Sequence, residues 1–269
     1  MEIRRGTQED FDAVATLDGN VELLRARWQQ PSFDPLHHLW LADGAFGALY
    51  APDEAVVRGD AELVPALLEQ IEQRARAQGL SQLAFVIPAW DEPASHAYEA
   101  FGFELATEVL ELEVAFDEPP QESPAPDGIA IRTYTDADAH RVRELLDRAY
   151  LAWEQTYAPL SHEDWLAFMT DNDSFVPGCW FLAEDGNELV GVCLTWKEGW
   201  IKDLAVAPGA RSRGLGESLV RHALARLYAR GVRRVGLKVD ARNPTGAVRL
   251  YERVGMSVVK RYRFYVKRL

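Results

Sequence analysis

Along residues 129–269 short apolar runs alternate with amphipathic stretches of helical period. The pattern predicts strands near 129–132, 178–184, 188–196, 199–206, 234–240 and 256–267, and helices near 136–151, 161–170, 214–230 and 244–254. Lys197-Glu198-Gly199 reads as a short hairpin turn between the third and fourth strands. Interspersed strands and helices of this kind place the chain in the mixed α/β (α+β) class.

The same order of elements occurs twice. Ile3-Arg4 with Thr7 matches Ile131-Arg132 with Thr135, each a short strand before a helix capped by threonine. The helix from Pro65 to Gly79 parallels the one from Glu217 to Gly231, and Ala94 to Phe103 parallels Ala247 to Met256, each closed by glycine. Between the copies, 118–128 is rich in proline and polar residues, as an exposed linker is. The predicted organisation is therefore two domains of one fold, 1–117 and 129–269, joined by the linker 118–128. A period this long marks a duplicated domain and not a solenoid.

Charge divides along the same line. Residues 1–128 hold 7 Lys+Arg against 25 Asp+Glu, whereas the remainder holds 22 against 17. The acidic half disfavours a nucleic-acid partner, and the mildly basic half suits a small polyanion. No apolar run is long enough to span a bilayer and Met1 to Arg5 lack a signal peptide's apolar stretch, so the expected location is cytoplasmic, with no membrane partner. Cys179 and Cys193 lack the spacing of a zinc site and read as buried small hydrophobes; no metal is expected.

The chemically informative stretch runs from Trp200 to Leu219: an apolar strand, a loop bearing Arg211, Arg213, Gly214 and Gly216, then an amphipathic helix. Backbone N–H groups at a helix N-terminus, unobstructed where glycine has no side chain, make a seat for pyrophosphate, and arginines add charge-assisted bonds. A tight strand-to-helix turn with solvated arginines explains the same residues without a ligand. The loop is neither the dinucleotide G-x-G-x-x-G, since position 219 is leucine, nor a P-loop.

Arg211-x-x-Gly214-x-Gly216, followed by Asn243-Pro244-x-x-Ala247-x-x-Leu250-Tyr251-Glu252-x-x-Gly255, resembles the two motifs of the GCN5-related N-acetyltransferase (GNAT) family, in its order and spacing over 129–269. The resemblance implies two tandem GNAT-like domains, each a twisted mixed, largely antiparallel sheet flanked by helices. It implies an acyl-CoA, expected to be acetyl-CoA, as cosubstrate, and direct transfer to a primary amine in the C-terminal domain. A non-catalytic acetyl-CoA sensor or interaction module is the alternative. In the family's fold the strands 200–206 and 234–240 splay apart, and the pantetheine arm pairs near Leu204, Ala205 and Val206. Arg211, Ser212, Arg213, Gly214, Leu215, Gly216 and Glu217 then hold the pyrophosphate, and Tyr251 protonates the departing thiolate. Asn243 either contacts the pantetheine or caps a helix.

The base is left between Asp203 and Glu154, either of which also reads as an ordinary strand or surface residue. Tyr150, Trp153, Glu154 and Tyr157 either cage a cationic amine or pack the helix pair. The acceptor is expected to be a small-molecule or peptide amine, and the protein a monomer or homodimer. In the first half Asp60 and Glu62 fall where phosphates would sit, so 1–117 is read as a degenerate copy without cofactor. The tandem layout is similar to that of mycothiol synthase, which makes an aminothiol-sugar amine one candidate acceptor.

Overall fold

Both copies begin with one local device. Thr7 N and Oγ1 donate to Asp10 Oδ2 at 2.8 and 3.0 Å, and Thr135 N and Oγ1 donate to Asp138 Oδ2 at 3.0 and 2.8 Å. The same carboxylates take both Nη groups of an arginine on the preceding strand, Arg4 in one copy and Arg132 in the other. A carboxylate three residues after the threonine thus closes the helix start and ties it to the sheet.

The computed structural model describes residues 2–19, 21–50, 53–152 and 159–269. Its strands are β1 Arg4–Arg5, β2 Leu39–Ala42, β3 Ala45–Tyr50, β4 Glu54–Gly59, β5 Gln82–Pro88, β6 Glu104–Ala115, β7 Ile129–Thr133, β8 Trp180–Asp185, β9 Glu188–Trp196, β10 Trp200–Val206, β11 Arg234–Asp240 and β12 Ser257–Arg268. The helices are α1 Phe11–Asp18, α2 Val21–Trp28, α3 Pro35–His38, α4 Val64–Ala77, α5 Glu92–Ala100, α6 Ala139–Leu151, α7 His162–Thr170, α8 Leu215–Ala229 and α9 Ala247–Arg253. Each strand and helix predicted over 129–269 is present within a few residues of its expected bounds.

The chain forms two compact units: Met1–Val109 with Glu163–Asn172 and Arg261–Leu269, and Leu110–His162 with Asp173–Lys260. In the first, the strand order is β1-β2-β3-β4-β5 followed by the end of β12, which pairs antiparallel with β5 from Tyr262↔Pro88 to Arg268↔Gln82. One face buries Leu67, Leu68 and Ile71 of α4 with Phe85, Tyr98 and Tyr265, and the other buries Val14 and Leu24 with Phe46. Alternation along β2 explains the two faces, since Leu39 and Leu41 join the second cluster while Trp40 joins the first.

In the second unit the order is the end of β6, then β11-β10-β9-β8-β7, with β10 parallel to β11 and the pairs from β10 through β7 antiparallel. Helices α6 and α8 take opposite faces: Tyr150 of α6 bonds Asp203, whereas Gly216 of α8 approaches Val206, three residues along β10. Each unit is completed by a strand from the opposite half of the chain, 261–269 in the first and 110–115 in the second. The segment 118–128 has no regular structure, yet it is held along α8, where Ser218 Oγ donates to Ser123 O at 3.3 Å and to Pro124 O at 3.2 Å.

Two outcomes are expected. Removing residues 261–269 strips β5 of its partner and the first core of Tyr265, so the truncated protein should lose cooperative unfolding of its N-terminal unit and gain dye-binding apolar surface. Asp138→Ala should cost about 2 kcal/mol in urea unfolding, from a lost cap and charge-assisted bonds. Bonds from Arg132 hold the Asp138 carboxyl well below the usual range, so its contribution is full above the unfolded value of about 3.9 and is lost as pH falls from there toward the depressed folded value. The gap between wild type and variant should therefore narrow below about pH 4.

Candidate active site

Strand β10 pairs with β9 along its length, but with β11 only at Trp200↔Gly236 and Ile201↔Leu237. A register shift between Ile201 and Asp203 places a bulge at Lys202, where the parallel strands part. The opening is a cleft of about 650 Å³, within the range of small-molecule sites.

Most of the residues singled out in the sequence meet there. Leu204, Ala205 and Val206 of β10 line it, with Arg211, Ser212, Gly214, Leu215, Gly216 and Glu217 of the following loop and helix, Asn243, Tyr251, and Tyr150 from α6. Trp153, Glu154 and Tyr157 lie outside the described residues. Two of the singled-out residues stand outside the lining. Arg213 does not line the cleft; its guanidinium lies 3.5 Å from Asp185 Oδ2 and from the Asp127 carbonyl, which leaves Arg211 as the loop's cleft-lining arginine. Asp203 does not line it either, because its carboxylate accepts from the Tyr150 hydroxyl at 2.9 Å and faces Lys202 Nζ at 3.5 Å.

The loop's backbone explains its composition. Ser212 and Gly214 both take left-handed conformations, with φ of 60° and 82°, and Gly214 caps α8. The helix's first bond, Ser218 N to Gly214 O at 3.0 Å, leaves the preceding N–H groups without an intrahelical acceptor. A Cβ on Gly216 would stand 3.0 Å from Leu250 Cδ1, so glycine there keeps the helix end close to α9. Arg211 is fixed by its Nε donating to the Val206 carbonyl at 3.1 Å. Glu217, the one carboxylate at the helix start, is held ionised by Arg253 at 2.9 Å and Arg221 at 3.0 Å, so its charge is offset where an anion would sit.

Tyr251, on α9, is 6% exposed; burial pushes its phenol far above the ordinary value, and Cys193 and Asp203 add to the shift. Burial also drives Cys193 upward, with Asp203 adding, so this thiol stays protonated. The oxygen of Asn243 is taken by the Thr245 N–H at 2.9 Å in a local turn ahead of α9, whose N-cap is Gly246; its amide nitrogen is what remains for a ligand. Sequence reasoning missed Lys202, Lys238 and Arg253 among the lining residues. Lysines on neighbouring strands gave no spacing signal, and Arg253 is tied to Glu217 only by the packing of α9 on α8. Among the described residues no His/Cys/Asp/Glu group has the arrangement of a metal site.

A model of the Acetyltransferase (GNAT) family matches residues 139–256, which hold the cleft-forming strands and both helices at its rim. A protein of Streptomyces avermitilis named mycothiol acetyltransferase is 28% identical over 92% of this chain and 86% of its own length. One of the same name from Geodermatophilus obscurus is 30% identical over 80% of this chain and 77% of its own. Among solved structures, a GCN5-related N-acetyltransferase from Sphaerobacter thermophilus superposes with a TM-score of 0.76 at 25% identity, covering 99% of this chain and 95% of that one. With two units built on one repeated order of elements and a cleft between parting parallel strands, the chain belongs to the GNAT acetyltransferase family and is an N-acetyltransferase with a tandem layout.

Proposed function

We propose that the cleft of the second unit takes acetyl-CoA and that its acetyl group passes directly to the primary amine of a small molecule. The observation that carries this reading is the opening between β10 and β11, with uncapped N–H groups and Arg211 toward one end and the buried phenol of Tyr251 within. Helix N–H groups and a fixed guanidinium suit a pyrophosphate. The open edge of β10 suits an amide-bearing arm that adds as a strand would. A phenol held protonated by burial suits a group that must surrender its proton only to a leaving thiolate.

The first unit is read as carrying no cofactor. At the start of its corresponding helix, Asp60 Oδ1 accepts the Glu62 N–H at 3.1 Å and the Asp60 carbonyl accepts the Leu63 N–H at 3.0 Å, so the donors are used internally. Tyr98, the counterpart of Tyr251, is 1% exposed and lies tilted against Phe85 at 4.4 Å between ring centres. As acceptor, the relatives named mycothiol acetyltransferase point first to desacetyl-mycothiol.

Calorimetric titration with acetyl-CoA should give one site per chain, and two sites would overturn the reading of the first unit. Arg211→Ala should weaken that binding by about 1.5 to 3 kcal/mol, roughly 10- to 100-fold. Tyr251→Phe should bind acetyl-CoA as the wild type does while losing on the order of 10²-fold in kcat with desacetyl-mycothiol, the size of a lost general acid. Binding without turnover of this or other amines would instead favour a sensor.

A further inference from the structure

Behind the cleft lies a group of titratable side chains drawn from four elements: Tyr150 of α6, Lys202 and Asp203 of β10, Cys193 of β9 and Tyr251 of α9. Of these, Tyr150, Lys202 and Tyr251 line the cleft, whereas Asp203 and Cys193 do not. The Asp203 side chain is 11% exposed, with Oδ1 bonded to the Tyr150 hydroxyl at 2.9 Å and Oδ2 facing Lys202 at 3.5 Å. A carboxylate set back from the substrate thus stands behind a phenol that faces it. With Oδ2 turned toward Lys202, Oδ1 is the oxygen placed to take the Tyr150 proton.

Resting on the acetyl-transfer reading, we propose that Tyr150 is the residue that deprotonates the incoming amine and that Asp203 is the positioning residue that draws the phenol proton away. An ammonium N–H breaks as its proton passes to Tyr150 Oη, while the original Tyr150 proton passes to Asp203 Oδ1. Neither oxygen accumulates a phenolate's charge, which a free tyrosine with a value of about 10 would have to carry at neutral pH. The freed nitrogen lone pair bonds the thioester carbonyl carbon, the C–S bond breaks, and the sulfur takes the proton of Tyr251. The nitrogen's surplus proton restores Tyr251, and Asp203 returns its proton through Tyr150 to solvent, so one proton is released per acetyl transferred. The base that the sequence left between Asp203 and Glu154 becomes a two-residue relay whose acting end is neither of them.

The test compares wild type, Tyr150→Phe, Asp203→Asn and the double variant, with desacetyl-mycothiol and spermidine as acceptors. Each single variant should lose on the order of 10²-fold in kcat at pH 7. Their melting temperatures and acetyl-CoA affinity should stay those of the wild type. The double variant should be no slower than the slower single one, because both remove one pathway. The deficit should shrink as pH rises toward the acceptor's own pKa, where free amine no longer needs a base. Losses that multiply in the double variant, a deficit constant with pH, or a wild-type rate in Tyr150→Phe would each overturn the relay. The wild-type rate, measured alongside, reports on acetyl transfer by itself, so the two readings fail separately.

Discussion

Beyond Ile201↔Leu237, β10 and β11 no longer share hydrogen bonds, and the facing edge of β10 keeps backbone groups that something other than the neighbouring strand must satisfy. Parallel strands normally avoid this by pairing along their length under covering helices. Here the bulge at Lys202 turns one strand away, and α8 and α9 hold the gap from the far side, with Gly216 against Leu250. The cleft follows from that parting, and so does the position of Tyr251, which reaches it from the helix that closes the gap. An unpaired strand edge at the bottom of a cleft is costly unless a ligand completes it. A binding function therefore explains why the feature is kept better than a packing one does.

The first unit meets the same constraint and resolves it differently. Strands β4 and β5 pair in parallel at Glu54↔Ala84, much as Trp200 meets Gly236. There, however, the core gathers Val57, Phe85, Ile87, Tyr98, Phe103 and Tyr265 into one buried cluster. Leu237 in the second unit stands at the repeat position of Phe85, and the smaller side chain lines the cleft where the aromatic fills the core. Aromatic packing of that size is worth more than the few backbone bonds lost at the opening. One topology thus yields a filled core or a cleft according to a handful of side chains.

The order of elements in both copies was legible because period, caps and closing glycines are local properties of a sequence. Thr7 with Asp10 and Thr135 with Asp138 carry the repeat in residues three apart, and the structure uses them as identical ties to the sheet. The loop from Arg211 to Gly216 was legible for the same reason, since its glycines answer to backbone angles and helix contact. What escaped was set by partners far along the chain. Nothing near Arg213 announces Asp185 or Asp127, and nothing near Asp203 announces Tyr150, 53 positions earlier. The exchange of strands that completes each unit was hidden too, because a strand's periodicity reports its faces and not the neighbour at its edge.

The electrostatics of the site depend on that hidden pair. Burial holds the Tyr251 phenol far above its ordinary value, with Cys193 and Asp203 adding to the shift, whereas the Tyr150 hydroxyl donates to Asp203 itself. In the proposed reaction Tyr251 keeps its proton until the thiolate leaves, while Tyr150, with an Asp203 oxygen at 2.9 Å, passes a proton on. Reactions that move a proton off one atom and onto another need two such groups of unlike readiness within one site. With Asp203 on β10, the strand whose parting opens the cleft, the proposed relay ties proton transfer to the same element that admits the ligand.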